Sequence, residues 1–254
     1  MISTRLEGDG DSAIGLVTLA RPDKRNALTP EMLTALRHAV NDLAPAVGAI
    51  VLEGERSGDR NVFCAGFDLS LCQGNDGDSV LEAMLVGLSA AVRTLRSAEV
   101  PIVAAAAGAA VAGGCALLGG CDIVVTDSQS KIGYPVVKLG ISPAVSAATL
   151  RTLIGEGRAR ERLLDPAVIT GAEAGRIGLA HEVMASSAEV APRAAAIARE
   201  LAAKPRAGIV ATKSWLNQLD GSIDARWADR TLAASLSLVG GIEQHRLLPQ
   251  AWSR

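Results

Sequence analysis

The sequence predicts an α/β fold, and three observations carry the prediction. Short stretches rich in β-branched residues alternate with helical patterns through the first half of the chain. Helical patterns dominate from Pro143 onward. Between Gly108 and Gly120, glycines punctuate an apolar run and mark turns at the ends of buried strands.

The elements follow in order. "AIGLVTLA" (Ala13 to Ala20) reads as a strand. Thr29 caps a helix that starts with Pro30 and runs to about Leu43, with Met32, Leu36, Val40 and Leu43 on one face. "GAIVLEG" (Gly48 to Gly54) is a second strand, and "NVFCAGFDL" a third that ends in a glycine turn. Gln73 to Ser79 is the most polar stretch and reads as a mobile loop. A helix spans Val80 to Ser97, "PIVAAAA" is a strand closed by Gly108, and Gly113 opens a short helix to about Gly120. "DIVVT" and "SKIGYP" complete the strands. Helices are then expected over 143–154, 156–164, 172–178, 188–203, 205–219 and 224–238, giving an all-helical second half.

Composition narrows the function. The chain has 254 residues, a formal net charge of -2 and 2% aromatic residues, so neither a basic surface nor a stacking platform for nucleic acid is expected. The apolar run from Val100 to Leu118 is interrupted by Pro101, Gly108, Gly113 and Gly114, which argues against a membrane span. The N-terminus carries Glu7, Asp9 and Asp11 and no apolar leader core, so a cytoplasmic location is expected. Cys64, Cys72, Cys115 and Cys121 form no CxxC pair and have no histidine near them, so they read as small buried hydrophobes, with no metal site.

The glycine turns admit three readings. The spacing of Gly108, Gly113 and Gly114 does not fit G-x-G-x-x-G, and neither a P-loop nor a G-x-S-x-G elbow is present, which sets phosphate cradling and the hydrolase elbow aside. Glycine can also serve close helix–strand packing alone. In the third reading, "CAGFD" and "AGGCA" each end a strand and expose backbone N–H groups. Two such groups, one at a helix N-terminus, can converge on one oxygen and stabilise negative charge there without any side-chain donor.

Taken as an ordered set, "GLVTLARPDKRNALTPEM", "GAIVLEG", "FCAGFDL", "PIVAAAAGAAVAGGCALLGGCDIVV", "IGYPVVKLGISPA" and "ITGAEAGRIGLAHEVM" resemble the enoyl-CoA hydratase/isomerase (crotonase) superfamily. The resemblance implies a spiral core of ββα units over 1–185. It also implies a helical region over 186–254, part of the same unit, that drives assembly into a homotrimer or homohexamer. The implied ligand is an acyl-CoA thioester, with coenzyme A belonging to the substrate and no separate cofactor. Its thioester oxygen would accept hydrogen bonds from the N–H groups of Phe67 and Gly113. The adenine and pantetheine portions would lie along "KRNAL", which includes Ala27, and along Ala65, Gly66 and Phe67 to Ser70, taking in Asp68 and Leu69. Lys24 or Arg25 would face the phosphates, the alternative being an ordinary solvated turn. Asp68 is expected to hold its loop, and Asp122 to fix backbone at a strand start.

One departure bears on mechanism. Hydratases of this family carry two glutamates, one three residues after the oxyanion glycine and one after the proline of a "GxPE" segment. Ala116 and Val136 stand there. Neither can hold water or move a proton, and a positioned acid or base is worth roughly 10²–10⁴ in rate. Three hypotheses remain. An enzyme could use a relocated group, with Glu82, beside Asp76 and Asp78, or Tyr134 as candidates. A malonyl-type thioester could be decarboxylated, which generates an enolate without a base, though no motif places His38, His181 or His245 as proton donor. A non-catalytic acyl-CoA-binding protein would need only the pocket. Trp215, Trp227 and Trp252 are expected in core or subunit packing, and Lys213 and Arg226 as surface or inter-subunit charges.

Overall fold

The structure, a computed structural model, describes residues 1–56, 58 and 61–251. β1 (Ile2–Glu7) leads into β2 (Ile14–Leu19), α1 (Pro30–Leu43) and β3 (Ala49–Gly54). α2 (Gly77–Ser97), β4 (Ile102–Ala106), β5 (Ala109–Val111), α3 (Gly113–Gly120), β6 (Ile123–Asp127) and β7 (Lys131–Gly133) follow. The second half comprises α4 (Ala147–Leu164), β8 (Ile169–Thr170), α5 (Gly171–Arg176), β9 (Glu182–Met184), α6 (Ser187–Ala202), α7 (Arg206–Asp220), α8 (Ala225–Leu236) and α9 (Ile242–Leu247).

The main sheet has the order β1-β2-β3-β4-β6-β9, antiparallel between β1 and β2 and parallel elsewhere. A small second sheet, β5-β7-β8, stands beside it. Side chains alternate across the strands, so the main sheet is buried on both faces. Val17, Ile50, Leu52, Ile102 and Ala104 pack with α1, α2 and α3. Leu16, Val51, Val103 and Val125 pack against Val190, Ala194, Ile197 and Ala198 of α6.

α1 forms where expected, and for the expected reason. Thr29 accepts from Met32 N–H at 3.2 Å, Pro30 occupies the first turn, and Met32, Leu33, Leu36 and Val40 are buried. Other elements correct the sequence reading. "NVFCAGFDL" is not a strand of a sheet; it is an extended loop with two isolated bridges, Cys64 to Ala110 and Leu28 to Phe67. α2 starts at Gly77, so part of the stretch expected to be mobile is helical. The second half is not all helix, because β9 joins the main sheet beside β6 through Val125 opposite Glu182. β1, β5, β8 and α9 were not expected. The two helices expected around residue 155 are confirmed as separate segments, since Gly155 breaks α4 with φ 75° and ψ 162°.

All four cysteines are free and buried. Burial pushes the thiols of Cys64 and Cys115 up to about 12 and that of Cys72 to about 11, and raises that of Cys121 as well. No helix among the described residues is long and apolar enough to cross a membrane, and no His, Cys, Asp and Glu cluster there could hold a metal ion.

Candidate functional site

Strain in the backbone marks where the chain is forced. Among the described residues, three that are not glycine have positive φ: Arg25 (55°), Asn26 (54°) and Ala112 (53°). The first two shape the turn before Leu28. Ala112 directly precedes α3 and turns the chain into it. Asn26 is fully buried; its amide nitrogen donates to the carbonyls of Glu55 (3.0 Å) and Val62 (2.8 Å), tying this turn to the next loop.

The extended loop lies between the Leu28 turn and β5. Leu28 N–H donates to the Gly66 carbonyl at 2.7 Å, and Asp68 N–H donates to the Leu28 carbonyl at 2.9 Å. That is parallel-bridge pairing, in which the central residue, Phe67, turns its own N–H and C=O away from Leu28. On the other flank, Cys64 N–H donates to Ala109 and its carbonyl accepts from Val111, both at 3.0 Å. Glycine permits the close approach that results. A Cβ on Gly66 (φ 95°) would stand 2.9 Å from Ala112 Cβ and 3.5 Å from Gly113 N, and one on Gly114 would stand 2.4 Å from the Cys64 carbonyl oxygen. The Phe67 ring packs over Gly113, whose added Cβ would meet ring atoms at 3.4 and 3.5 Å. Neither Phe67 N–H nor Gly113 N–H has a hydrogen-bond partner among the described residues. Gly113 is the first residue of α3, where the helix dipole favours negative charge.

Both residues line a pocket of about 150 Å³. Leu85 and Leu88 of α2, with Leu139, Ile141 and Val145, form its apolar wall, and Ala116 and Val136 line it too. Its polar side chains are Tyr134, Ser142 and Ser146. Tyr134 is buried; burial, with Cys115 beside it, raises its phenol well above the ordinary value, so it stands as a neutral hydroxyl.

The other candidate residues divide. Ala65 and Leu69 line the pocket. Gly66, Ala27 and Asp68 are buried, and Lys24, Arg25 and Ser70 are exposed. Glu82 is a correction: it is exposed on α2 and is not part of the pocket lining. The α2 face that looks inward carries Leu81, Leu85 and Leu88, and position 82 falls outside that stripe. Asp76 is exposed, and Asp78 pairs with Nε2 of His245 at 2.8 Å. His181 accepts from Val124 N–H at Nδ1 (3.0 Å), away from the pocket.

Asp68 holds its loop as expected. It accepts from Ser70 N–H (3.2 Å) and Ser70 Oγ (2.5 Å) and pairs with Arg21 at 2.7 Å. Burial alone would raise its carboxyl, but Ser70 and Arg21 outweigh that and hold it below the usual range. Asp122 likewise fixes a strand start, accepting from Ile102 N–H at 2.7 Å. Lys213 is a correction, being buried and paired with Asp122 within the chain. Arg226 is exposed and pairs with Asp224. Trp215 and Trp227 are 59% and 45% exposed on the single chain, and Trp252 lies outside the described residues. Arg21, Ser142 and Ser146 were not among the sequence candidates. The only sequence signal for Arg21 is its place at the head of the "RPDKRNAL" turn.

A sequence model of the enoyl-CoA hydratase/isomerase family matches residues 9–235. The chain belongs to that family. Among relatives of the enoyl-CoA hydratase/isomerase family, the crotonyl-CoA hydratase of Syntrophomonas wolfei is 31% identical over 211 residues, 82% of this chain and 79% of that protein. "Probable enoyl-CoA hydratase echA8" of Mycobacterium leprae is 32% identical over 216 residues, 83% and 80% of the two chains. An enoyl-CoA hydratase structure from Bacillus halodurans superposes with a TM-score of 0.83 at 23% identity, covering 98% of this chain and 99% of that one. The likeness shows that the fold is the crotonase fold.

Proposed function

We propose that this family member binds an acyl-CoA thioester and polarises its carbonyl between the N–H groups of Phe67 and Gly113, stabilising an enolate without the usual hydration chemistry. The observation that carries the reading is a pair of amides, without partners among the described residues, at one apolar pocket that Ala116 and Val136 also line. One well-placed oxyanion donor is worth about 3 kcal/mol in a transition state. Coenzyme A enters as part of the ligand and no further cofactor is required. The exposed Lys24 and Arg25 lie on the turn that precedes Leu28 and suit the phosphates.

The lining supports a reading without hydration. Water must be held at the β-carbon and a proton moved, and the described side chains that line the pocket offer only hydroxyls for that work. The same lining suits a non-catalytic acyl-CoA-binding protein, because an apolar pocket without buried carboxylates carries no charge to desolvate. It also leaves room for decarboxylation of a malonyl-type thioester. There the bond to the carboxylate breaks, its electrons enter the enolate and CO₂ departs; a solvent proton, delivered through the open side of the pocket, completes the product at carbon. Trp215, Leu216 and Leu219, all more than half exposed on α7, suit burial between copies in a homotrimer or homohexamer.

Calorimetric titration with saturated acyl-CoAs, paired with α-proton exchange in D₂O and with assays on crotonyl- and malonyl-CoA, tests the reading. Binding with α-exchange supports it. Absence of binding at every chain length overturns it, as does crotonyl-CoA hydration within about tenfold of a glutamate-bearing hydratase.

A further inference from the structure

We propose that Arg21 is a positioning residue for the Phe67 amide, an inference that rests on the thioester reading above. Phe67 belongs to no helix and to no sheet, so no regular ladder sets the direction of its N–H. The direction is set by the single bridge to Leu28, and Arg21 spans that bridge. Nη1 donates to the Ala27 carbonyl at 3.2 Å, one residue before Leu28. Nη2 meets Asp68 Oδ2 at 2.7 Å, one residue after Phe67.

The arginine is itself fixed. Its N–H donates to Asn26 Oδ1 at 3.0 Å, and its carbonyl accepts from Asn26 N–H at 2.9 Å. Asn26 is in turn anchored to Glu55 and Val62. The Arg21 and Asp68 side chains are 22% and 8% exposed, so water competes little for the pair. The contact to Asp68 is a close charge pair that is not in line for a hydrogen bond, whereas Nη1 makes a directed hydrogen bond to Ala27, so the guanidinium joins one directional and one electrostatic hold. Arg21 therefore clamps both chains of the bridge and is not among the residues that line the pocket. Misplacing a catalytic donor by about 1 Å costs on the order of 10² in rate, so a clamp of this kind matters even at one remove.

The test reads carbonyl polarisation directly. The full chain is titrated with [1-¹³C]butyryl-CoA, and the thioester carbon is followed by NMR. The wild-type complex is expected to show a downfield shift from free ligand. Arg21→Gln is expected to lose about half or more of that shift while Kd changes by less than about threefold, and Arg21→Lys to lie between the two. Asp68→Asn, which keeps size and removes charge, should move the resonance in the same direction. A full shift in Arg21→Gln overturns the proposal. So does a loss of shift that only tracks lost affinity and a lowered Tm across all three variants, which is the signature of a general stabilising contact. No shift in the wild-type complex instead overturns the oxyanion reading beneath it.

Discussion

Lys213 on α7 reaches the carboxylate of Asp122 at 2.6 Å and the Val100 carbonyl at 2.9 Å. The same Asp122 oxygen accepts the N–H of Ile102 at the start of β4. One carboxylate thus joins the C-terminal helices to the central sheet. Asp122→Ala would leave a lysine that is 7% exposed without its counter-charge. The expected loss is about 3 kcal/mol, near the low end for breaking a buried pair because Asp122 keeps some contact with water. Lys213→Met should cost less, about 1 kcal/mol. Urea unfolding of the two variants checks the order.

Placing carboxylates at positions 116 and 136 is the direct check on the proposed mechanism. Ala116→Glu with Val136→Glu is expected to raise crotonyl-CoA hydration by about 10²–10⁴ over the unaltered chain. The assay is loss of the conjugated thioester absorbance. An unchanged rate in a folded double variant would show that these two positions do not govern the chemistry.

Pocket size is expected to limit the acyl chain of the proposed ligand. An apolar cavity of about 150 Å³ accepts a benzene-sized group. Short acyl chains, about four to six carbons, are therefore expected to bind best. Leu88, 4% exposed on α2, forms part of the wall, and Leu88→Ala should move the optimum toward longer chains at a stability cost of about 2–5 kcal/mol. Titrations from butyryl- to decanoyl-CoA check it, and an optimum that stays put contradicts it.

His181 makes stability pH-dependent. Its Nδ1 accepts a backbone N–H, and burial, opposed by the charge of Asp122, holds the imidazole below 6.5. Between that folded value and 6.5 the unfolded chain binds more protons. Stability is therefore full above about pH 6.5 and falls as the pH drops below it, by at most about 1.4 kcal/mol per pH unit, until the folded imidazole also protonates. His181→Asn keeps an acceptor that does not titrate, so its unfolding midpoint should vary less between about pH 5 and 6.5.

What could be read from the sequence was local. α1 needed only its cap, its proline and its apolar spacing, and all three act within the helix. The two main-chain turns at Phe67 and Gly113 were legible because glycine is required where backbones crowd. The loop around Cys64 misled because an extended chain looks the same whether or not neighbours pair along its length. β9 was invisible for the complementary reason: its three residues become a strand only through partners on β6. Long-range contact likewise decides Arg21 and Lys213. Lys213 reads as a surface or inter-subunit charge, and Arg21 draws no reading at all, until the fold brings a carboxylate to each.

The burial of all four thiols is expected to make the native chain slow to react with alkylating reagents, Cys72 being the most accessible of them at 5% exposure. Modification then becomes a clock for opening. Cys72 sits in the short turn before α2, whereas Cys115 and Cys121 belong to α3 and its exit. Peripheral loosening should tag the first alone, and collapse of the core should tag them together, so mass increments per molecule would resolve the two kinds of event without any engineered label.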